Sequence, residues 1–460
     1  MAVDDRDPIL QKQLGRVETA RDVLSGTRAV KAAGSKYLPY AYKGQEKDPV
    51  SYNGYKKRVP FYAAASRAQD GFLGMMFRRE PVLEADGTLA LIKNVITNRG
   101  DSVERLAQQA AREALASGFA LLVTDHPEGK ASSKGAAIAE GIRPFTNLYK
   151  FENILEYTVG IVRNMQKPVR VRVMDNASTV RLFKLVDGFV VIEIYEADSD
   201  GVFPDEGYPT RVVEPRANGK RLSEVPCDPV TASGELDFTK GPLDNVIETN
   251  LEHYATQGLL TTLHMYGISP MLFFAGVERS TSIDWVPGAV WCEPEADAKP
   301  YVLSVPADHA IPLEHQLQAL EDRLATLASR ILARHKAVAE AAETEAVRQG
   351  AENSVLAMIA NSVSQTIEKA LQRVADYSGG GEVRFQINTD FVPGNITPAE
   401  VDSLLGLNER SKLSDKSLFY KLRDGGIYDE TLTYEQEQER IAQSAVVEAP
   451  LAPQAKTPDE

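Results

Sequence analysis

The chain has 460 residues, beyond the ~250–300 at which a single hydrophobic core stops growing, so more than one folded region is expected. Its 43% hydrophobic and 25% charged residues match an ordinary soluble chain, and no run approaches the ~18 apolar residues of a membrane span. A formal net charge of −14 is the wrong sign for gripping nucleic acid through phosphate neutralisation, but it is compatible with a surface past which DNA slides.

The start, Met1-Ala2-Val3-Asp4-Asp5, is acidic and lacks the basic region and apolar core of a secretory signal, so a cytoplasmic protein is expected. Residues 1–60 mix short apolar patches with Gly15, Gly26, Gly34, Gly44 and Gly54, which predicts an extended arm with one short helix. A helix follows over Phe61 to Arg79, weak at Gly71 and Gly74 and closed by Pro81, with Met75, Met76 and Phe77 as core. Asp101 and Glu104 form a capping box for the next helix, which carries Val103, Leu106, Ala110 and Ala114 on one face and stops at Gly118.

Phe119 to Thr124 reads as a buried strand and Ile142 to Ile154 as a second extended stretch, joined by a small, polar loop from Gly129 to Gly141. Three further β runs cover Val169 to Met174, Val180 to Val186 and Phe189 to Tyr195, with Asp187-Gly188 as a hairpin turn. Loops with short strands are expected from Gly201 to Pro242. Helix returns from Leu243 to about Gly267, and an irregular block from Ile268 to Pro312 holds Trp285 and Trp291.

After Pro312, the residues Leu313, Leu317, Leu320, Leu324, Leu327 and Ile331 alternate four and three apart, the seam of a helix packed lengthwise on a neighbour. Those leucines read as core first and as subunit interface second. A second long helix spans Thr344 to Tyr377 with Val355, Ile359, Val363, Ile367, Leu371 and Val374 on one stripe, ended by Gly379-Gly380-Gly381. A strand over Glu382 to Ile387, a capping box at Thr397, Pro398 and Glu400, short helices and a disordered tail complete the chain. The fold class is therefore α+β, in several regions.

Motifs for chemistry are missing. There is no GxxxxGK[ST] phosphate loop, no GxGxxG, no GxSxG turn and no HExxH pair, and the six histidines make no metal-ligand spacing with carboxylates. Asp125-His126 is the nearest candidate, but neighbours on an extended chain point to opposite faces. Cys227 and Cys292 lie far apart without CxxC spacing, which favours unpaired thiols over a zinc site or disulfide. No enzyme activity, cofactor or metal is expected. Basic residues cluster at Arg330, Arg334, His335 and Lys336, with Arg348 beyond an Ala/Glu-rich joint. Their plain reading is a solvated helix end whose cations complement the dipole. The sharper one is a loop that offers Arg330, Arg334, Lys336 and Arg348 to passing phosphates.

Several stretches resemble phage portal proteins: GFLGMMFRREPVL at 71–83, SVERLAQQAAREALASGFALLVTDHP at 102–127, RPFTNLYKFENIL at 143–155, LEHYATQG at 251–258, GAENSVLAMIANSVSQTIEKAL at 350–371 and FQINTDF at 385–391. The resemblance covers most of residues 60 to 440. It implies a portal-like fold: an amino-terminal arm at 1–60, an α/β wing at 60–242, stem helices at 243–266 and 313–335, and a clip insertion at 267–312. A tunnel-loop joint at 336–345, a long helix and wing strand at 346–394, a helical crown at 395–445 and a disordered tail at 446–460 follow. The alternative for part of the clip is that Gly288 to Val305 form wing strands.

The resemblance further implies a homo-oligomeric ring, normally a dodecamer, at the capsid portal vertex of the virion, assembled in the host cytoplasm. Its partners would be the terminase large subunit, the major capsid or scaffold protein, a head–tail adaptor and transient double-stranded DNA, with no membrane. The rival readings are another head–tail connector component, usually much shorter, and a nucleic-acid enzyme.

Overall fold

The computed structural model describes residues 2–127, 129, 135–136, 140–268, 271–275, 299–303, 307–332, 355–389, 391, 398–428 and 432–447. The chain divides into two units, Met1–Thr389 and Asp390–Glu460.

The first unit begins with helices. The Asp7 carboxylate accepts the Ile9 amide at 2.7 Å, and Pro8 stands at the first helical position, where a missing N–H leaves no bond unmade. Helix α1 (Pro8–Leu24) buries Leu10, Val17, Ala20 and Val23; α2 (Thr27–Ala33) and α3 (Pro49–Arg58) follow, the latter capped by Asp48 ahead of Pro49. The expected extended arm over residues 1–60 is thus corrected to three helices packed on the body. Its glycines mark the joints: Gly26, Gly34 and Gly44 hold φ of 86°, 59° and 100°, a region that side chains with a Cβ disfavour.

Next come α4 (Ala64–Met76), β1 (Val82–Ala85), α5 (Gly87–Ile92) and α6 (Val103–Ala116). The α6 cap lies one residue later than predicted: Ser102 accepts the Arg105 amide at 3.2 Å, while Asp101 pairs with the Arg105 guanidinium at 2.9 Å. Gly118, at φ 74°, ends this helix as expected and turns the chain into β2 (Phe119–Asp125).

A five-stranded antiparallel meander follows: β4 (Ile154–Val162), β5 (Met165–Asn176), β6 (Thr179–Val186), β7 (Phe189–Glu196) and β8 (Arg211–Val213), preceded by β3 (Phe145–Lys150). The Asp187-Gly188 turn closes β6 onto β7 with both central residues at positive φ, 51° and 79°, the geometry that matches strand twist. Arg163-Asn164 does the same between β4 and β5, at 50° and 62°. That turn was not legible, because neither residue is glycine, and β4 was missed with it.

Two short strands, β9 (Arg216–Ala217) and β10 (Lys220–Arg221), make a third such hairpin through Asn218-Gly219. Strand β11 (Cys227–Thr231) then joins β2 and β3 in a sheet of order β11-β2-β3. Between the two sheets lies the main core, which includes Phe119, Leu121, Val123, Phe151, Val171 and Phe183, all fully buried.

The chain continues with α7 (Asp244–Ile268), β12 (Met271–Ala275), β13 (Lys299–Leu303), α8 (Ile311–Leu332), α9 (Val355–Tyr377) and β14 (Val383–Gln386). Helix α9 crosses the β11-β2-β3 sheet: Ser362 Oγ donates to the Thr231 carbonyl at 2.7 Å and Thr366 Oγ1 to the Pro229 carbonyl at 3.2 Å. The predicted stripe from Ile359 to Val374 is fully buried.

Strand β14 pairs with β1 on one side. The amides of Val383, Phe385 and Ile387 are accepted by Gln372, Glu368 and Ser364 of α9, at 3.2, 2.9 and 2.9 Å. Four residues of helix advance ~6 Å and two of strand ~6.6 Å, so one helix face serves alternate amides of the strand.

The second unit holds α10 (Pro398–Glu409), α11 (Asp415–Asp424) and α12 (Tyr434–Val447). Phe419 packs against the Tyr428 and Tyr434 rings at 5.0 and 5.7 Å, which forms its small core. The helical character expected for 395–445 is observed where the residues are described. Most of the predicted 129–141 loop, Trp285 and Trp291, the 336–345 joint, the first turns of the long helix and residues 448–460 lie outside the described residues.

Candidate functional site

The polar groups nearest to an active-site constellation lie beneath the three-stranded sheet. Arg181 of β6 meets Asp125 at 2.6 Å, Asp175 at 2.7 Å and the Tyr149 hydroxyl at 2.7 Å, and that hydroxyl donates to Asp175 at 2.5 Å. Arg373 of α9 grips both oxygens of Asp228, at 2.9 and 3.1 Å. Burial pushes the Asp125 carboxyl above its ordinary value, and the adjacent Arg181 charge offsets only part of this. Burial also raises the Tyr149 hydroxyl far above its usual range.

Every charge in this cluster is spent on another protein group. Cys227, completely buried beside Asp228, has its thiol pushed far up by desolvation and is the unpaired, inert cysteine expected of its sequence context. His126 does not share a site with Asp125: its Nδ1 lies 2.7 Å from the Pro127 carbonyl and its ring faces Tyr377, while Asp125 holds Arg181 and the His126 backbone amide. Among the described residues, no group of three His, Cys, Asp or Glu side chains converges to hold a metal. The Arg373–Asp228 pair locks α9 to β11, and the Arg181 cluster ties β6 of the five-stranded sheet to β2 and β3.

The second candidate is the paired-helix module. Helix α7 starts at Asp244, whose carboxylate is held by Arg16 of α1 at 3.0 Å and complements the helix dipole. Helix α8 returns alongside it: Leu260 clusters with Ala310 and Leu317, His253 Nε2 lies 3.3 Å from Glu321, and Arg323 lies 4.0 Å from Glu252. Rising positions on one helix meet falling positions on the other, so the pair is antiparallel. At ~1.5 Å per residue, 25 and 22 residues give rods of about 37 and 33 Å.

At the far end of the pair, β12 and β13 join antiparallel, Met271 opposite Leu303 and Ala275 opposite Lys299. Of the stretch 288–305 the described part, β13, pairs with β12. The outer faces of the helices expose Glu248, Glu252, Glu314, Glu321 and Asp322, with Arg323 among them. The seam leucines are core: Leu317, Leu320 and Leu324 are 7, 5 and 3% exposed.

Of the residues expected to face DNA, Arg330 falls in the last turn of α8, and Arg334, Lys336 and Arg348 lie outside the described residues. The buried pairs Arg181–Asp125 and Arg373–Asp228 were missed by sequence reasoning, since partners 56 and 145 residues apart leave no local pattern. Among the described residues, no helix is long and apolar enough to cross a membrane.

Mixed α+β architecture with an antiparallel helix pair carrying a stranded insertion is the class that this geometry defines. A family described as a domain of unknown function (DUF4055) matches residues 242–378, which begins just before α7 and ends just past α9. No curated protein matches the chain. Among solved structures, it is similar to a chain in the neck of an empty GTA particle computed with C6 symmetry. Identity is 13% over 82% of this chain and 90% of that one, with a TM-score of 0.40. It is also similar to a chain in the neck of a native GTA particle computed with C12 symmetry, at 12% identity over 84% and 94%, with a TM-score of 0.32. At TM-scores below 0.5, these likenesses define neither the fold nor the role of this chain.

Proposed function

We propose that the chain is a tailed-phage portal subunit, one copy in a homo-oligomeric ring through which double-stranded DNA enters and leaves the capsid. The observation that carries this reading is the α7–α8 pair with β12 and β13 joined at its end, placed in the chain where the portal resemblance puts stem, clip and stem. The long buried helix α9 follows in the same order. Exposed carboxylates on the pair suit a duplex that must slide, because phosphate-neutralising contacts would hold it by counterion release.

In this role the protein sits at the portal vertex of the virion and forms a ring of about twelve copies. It docks the terminase large subunit during packaging, the major capsid or scaffold protein around it and a head–tail adaptor afterwards. It performs no catalysis and needs no cofactor. Arg330, Arg334, Lys336 and Arg348 would guide DNA at the end of the stem.

Cryo-electron imaging of the purified chain tests the reading. Closed rings with a hole wide enough for duplex DNA are expected; monomers or dimers under every salt condition would overturn it. Incubation with labelled DNA, Mg²⁺ and ATP should show no turnover.

A further inference from the structure

Two tight hairpins finish at the same end of the five-stranded sheet, and the base of a third packs beside them while its tip residue Asn218 donates to the Asp376 carbonyl of α9 at 2.8 Å. The β4–β5 and β6–β7 turns share one end because the strands alternate in direction, and Arg170 opposite Lys184 sets their register. By that register the β4–β5 tip extends three residues, ~10 Å, beyond the other. The β9–β10 hairpin joins them: Arg221 of β10 stacks on Phe189 at 4.7 Å, and the Val190 amide donates to the Leu222 carbonyl at 2.8 Å.

This end exposes apolar side chains that the fold leaves uncovered. Met165 is 54%, Val186 40% and Phe189 39% exposed, while Ile161, 78% exposed, lies on the opposite face of its hairpin, since it pairs with Gln166 and Met165 with Val162. Around them the charge is reversed from that of the chain. Lys167, Lys184 and Arg221 are neutralised by Glu224, Glu193 and Glu214. Arg163, Arg216 and Lys220 are exposed, and among the described residues no salt bridge holds them; Glu224, paired with Lys167, also feels the Arg163 charge, and Asp187 lies at the β6–β7 turn.

An apolar centre with a cationic rim, on a chain of net −14, has the composition of an interface core and its complementary rim. A head-to-tail ring needs two unlike surfaces on each subunit, one to fit the other. We infer that this hairpin end is one of those two surfaces and seats on an acidic face of a second copy of this chain. The inference rests on the ring proposed above. It adds the specific surface, its partner and a salt dependence: the contact weakens as ionic strength screens the rim.

The test uses the full chain. Wild type, the charge variant Arg163→Asn (neutralised) with Lys220→Glu (reversed), and the apolar variant Phe189→Ser are compared by sedimentation velocity over a salt series. Circular dichroism serves as the folding control. Asparagine is chosen at 163 because it tolerates the positive φ there. The concentration at which rings form should rise about tenfold or more in both variants, with unchanged subunit spectra.

A photo-crosslinking residue placed at Met165 should yield a covalent dimer whose partner peptide is acidic. Rings that form in the variants at the wild-type concentration and salt, or a failure to crosslink within intact wild-type-like rings, would overturn the inference and leave the portal reading standing. A wild type that forms no ring would overturn the portal reading itself and the inference with it.

Discussion

Arg373, in the last two turns of the long helix α9, holds both carboxylate oxygens of Asp228 on β11, at 2.9 and 3.1 Å, across 145 residues of chain. Asp228 is 8% exposed, so removal of the arginine leaves a buried charge without a partner. Arg373→Met should cost about 3 kcal/mol, read as a lower urea midpoint at unchanged slope. Combining it with Asp228→Leu should recover much of the loss, since the double variant strands no charge. If the single and double variants were equally damaged, the pair would be packing rather than electrostatics.

Gly118 shows a different dependence, on space. It stands at φ 74° after α6, and a Cβ there would fall 2.6 Å from the Thr239 carbonyl oxygen and 2.8 Å from the Gly241 amide nitrogen. Both are backbone, so neither swings aside. Gly118→Ala should therefore cost well above the ~1–2 kcal/mol of the left-handed conformation alone. Gly100→Ala is the control, because it has φ 88° and open space around its Cβ, and should lose only the conformational part. Equal melting shifts in the two variants would show that the segment 239–241 moves freely.

Local signals carried much of this architecture. Asp187-Gly188, the stripe from Val355 to Val374 and the seam from Leu313 to Leu327 each repeat or punctuate within a few residues, so each could be read from the chain alone. What could not be read depends on distance. β14 was foreseen as a strand, but its partner β1 lies some 300 residues earlier and its remaining amides go to side chains of α9.

The first 60 residues were misread because their buried side chains are separated by glycine joints that look like an unstructured arm. The hairpin tips carried no functional signal in sequence; only the sheet brings Met165 and Phe189 to one end.

The docking of α1 should be sensitive to acid. Arg21 bridges Glu113, which is 3% exposed, and Glu152, with its Nε 2.6 Å from the latter. Burial by itself would raise the Glu152 carboxyl, but the hydrogen bond and charge of Arg21 outweigh this and hold it below its ordinary 4.5. A carboxyl whose folded value is depressed contributes stability that is present above its unfolded value and lost as pH falls through the folded one. Stability should therefore drop below about pH 4.5, and Arg21→Ala should flatten that part of the curve and cost about 3 kcal/mol at pH 7. Denaturant midpoints at pH 7, 4.5 and 3.5 for both proteins decide it; parallel curves would remove Arg21 from the account.

The leucine seam of α8 separates subunit stability from assembly. Leu317, Leu320 and Leu324 are buried within a single chain against α7, whereas Leu259 on α7 is 59% exposed. Leu320→Ala should then lower the stability of the isolated subunit by about 2–4 kcal/mol, as the loss of a buried side chain and the cavity it leaves both contribute. Leu259→Ala should change it by less than about 0.5 kcal/mol.

Because Leu320 is buried inside the subunit, Leu320→Ala at temperatures where it stays folded should leave the concentration at which copies associate unchanged. If the seam were instead a contact between copies, the pattern would invert: normal subunit stability and weakened association. Thermal melting paired with sedimentation of the same variant distinguishes the two cases.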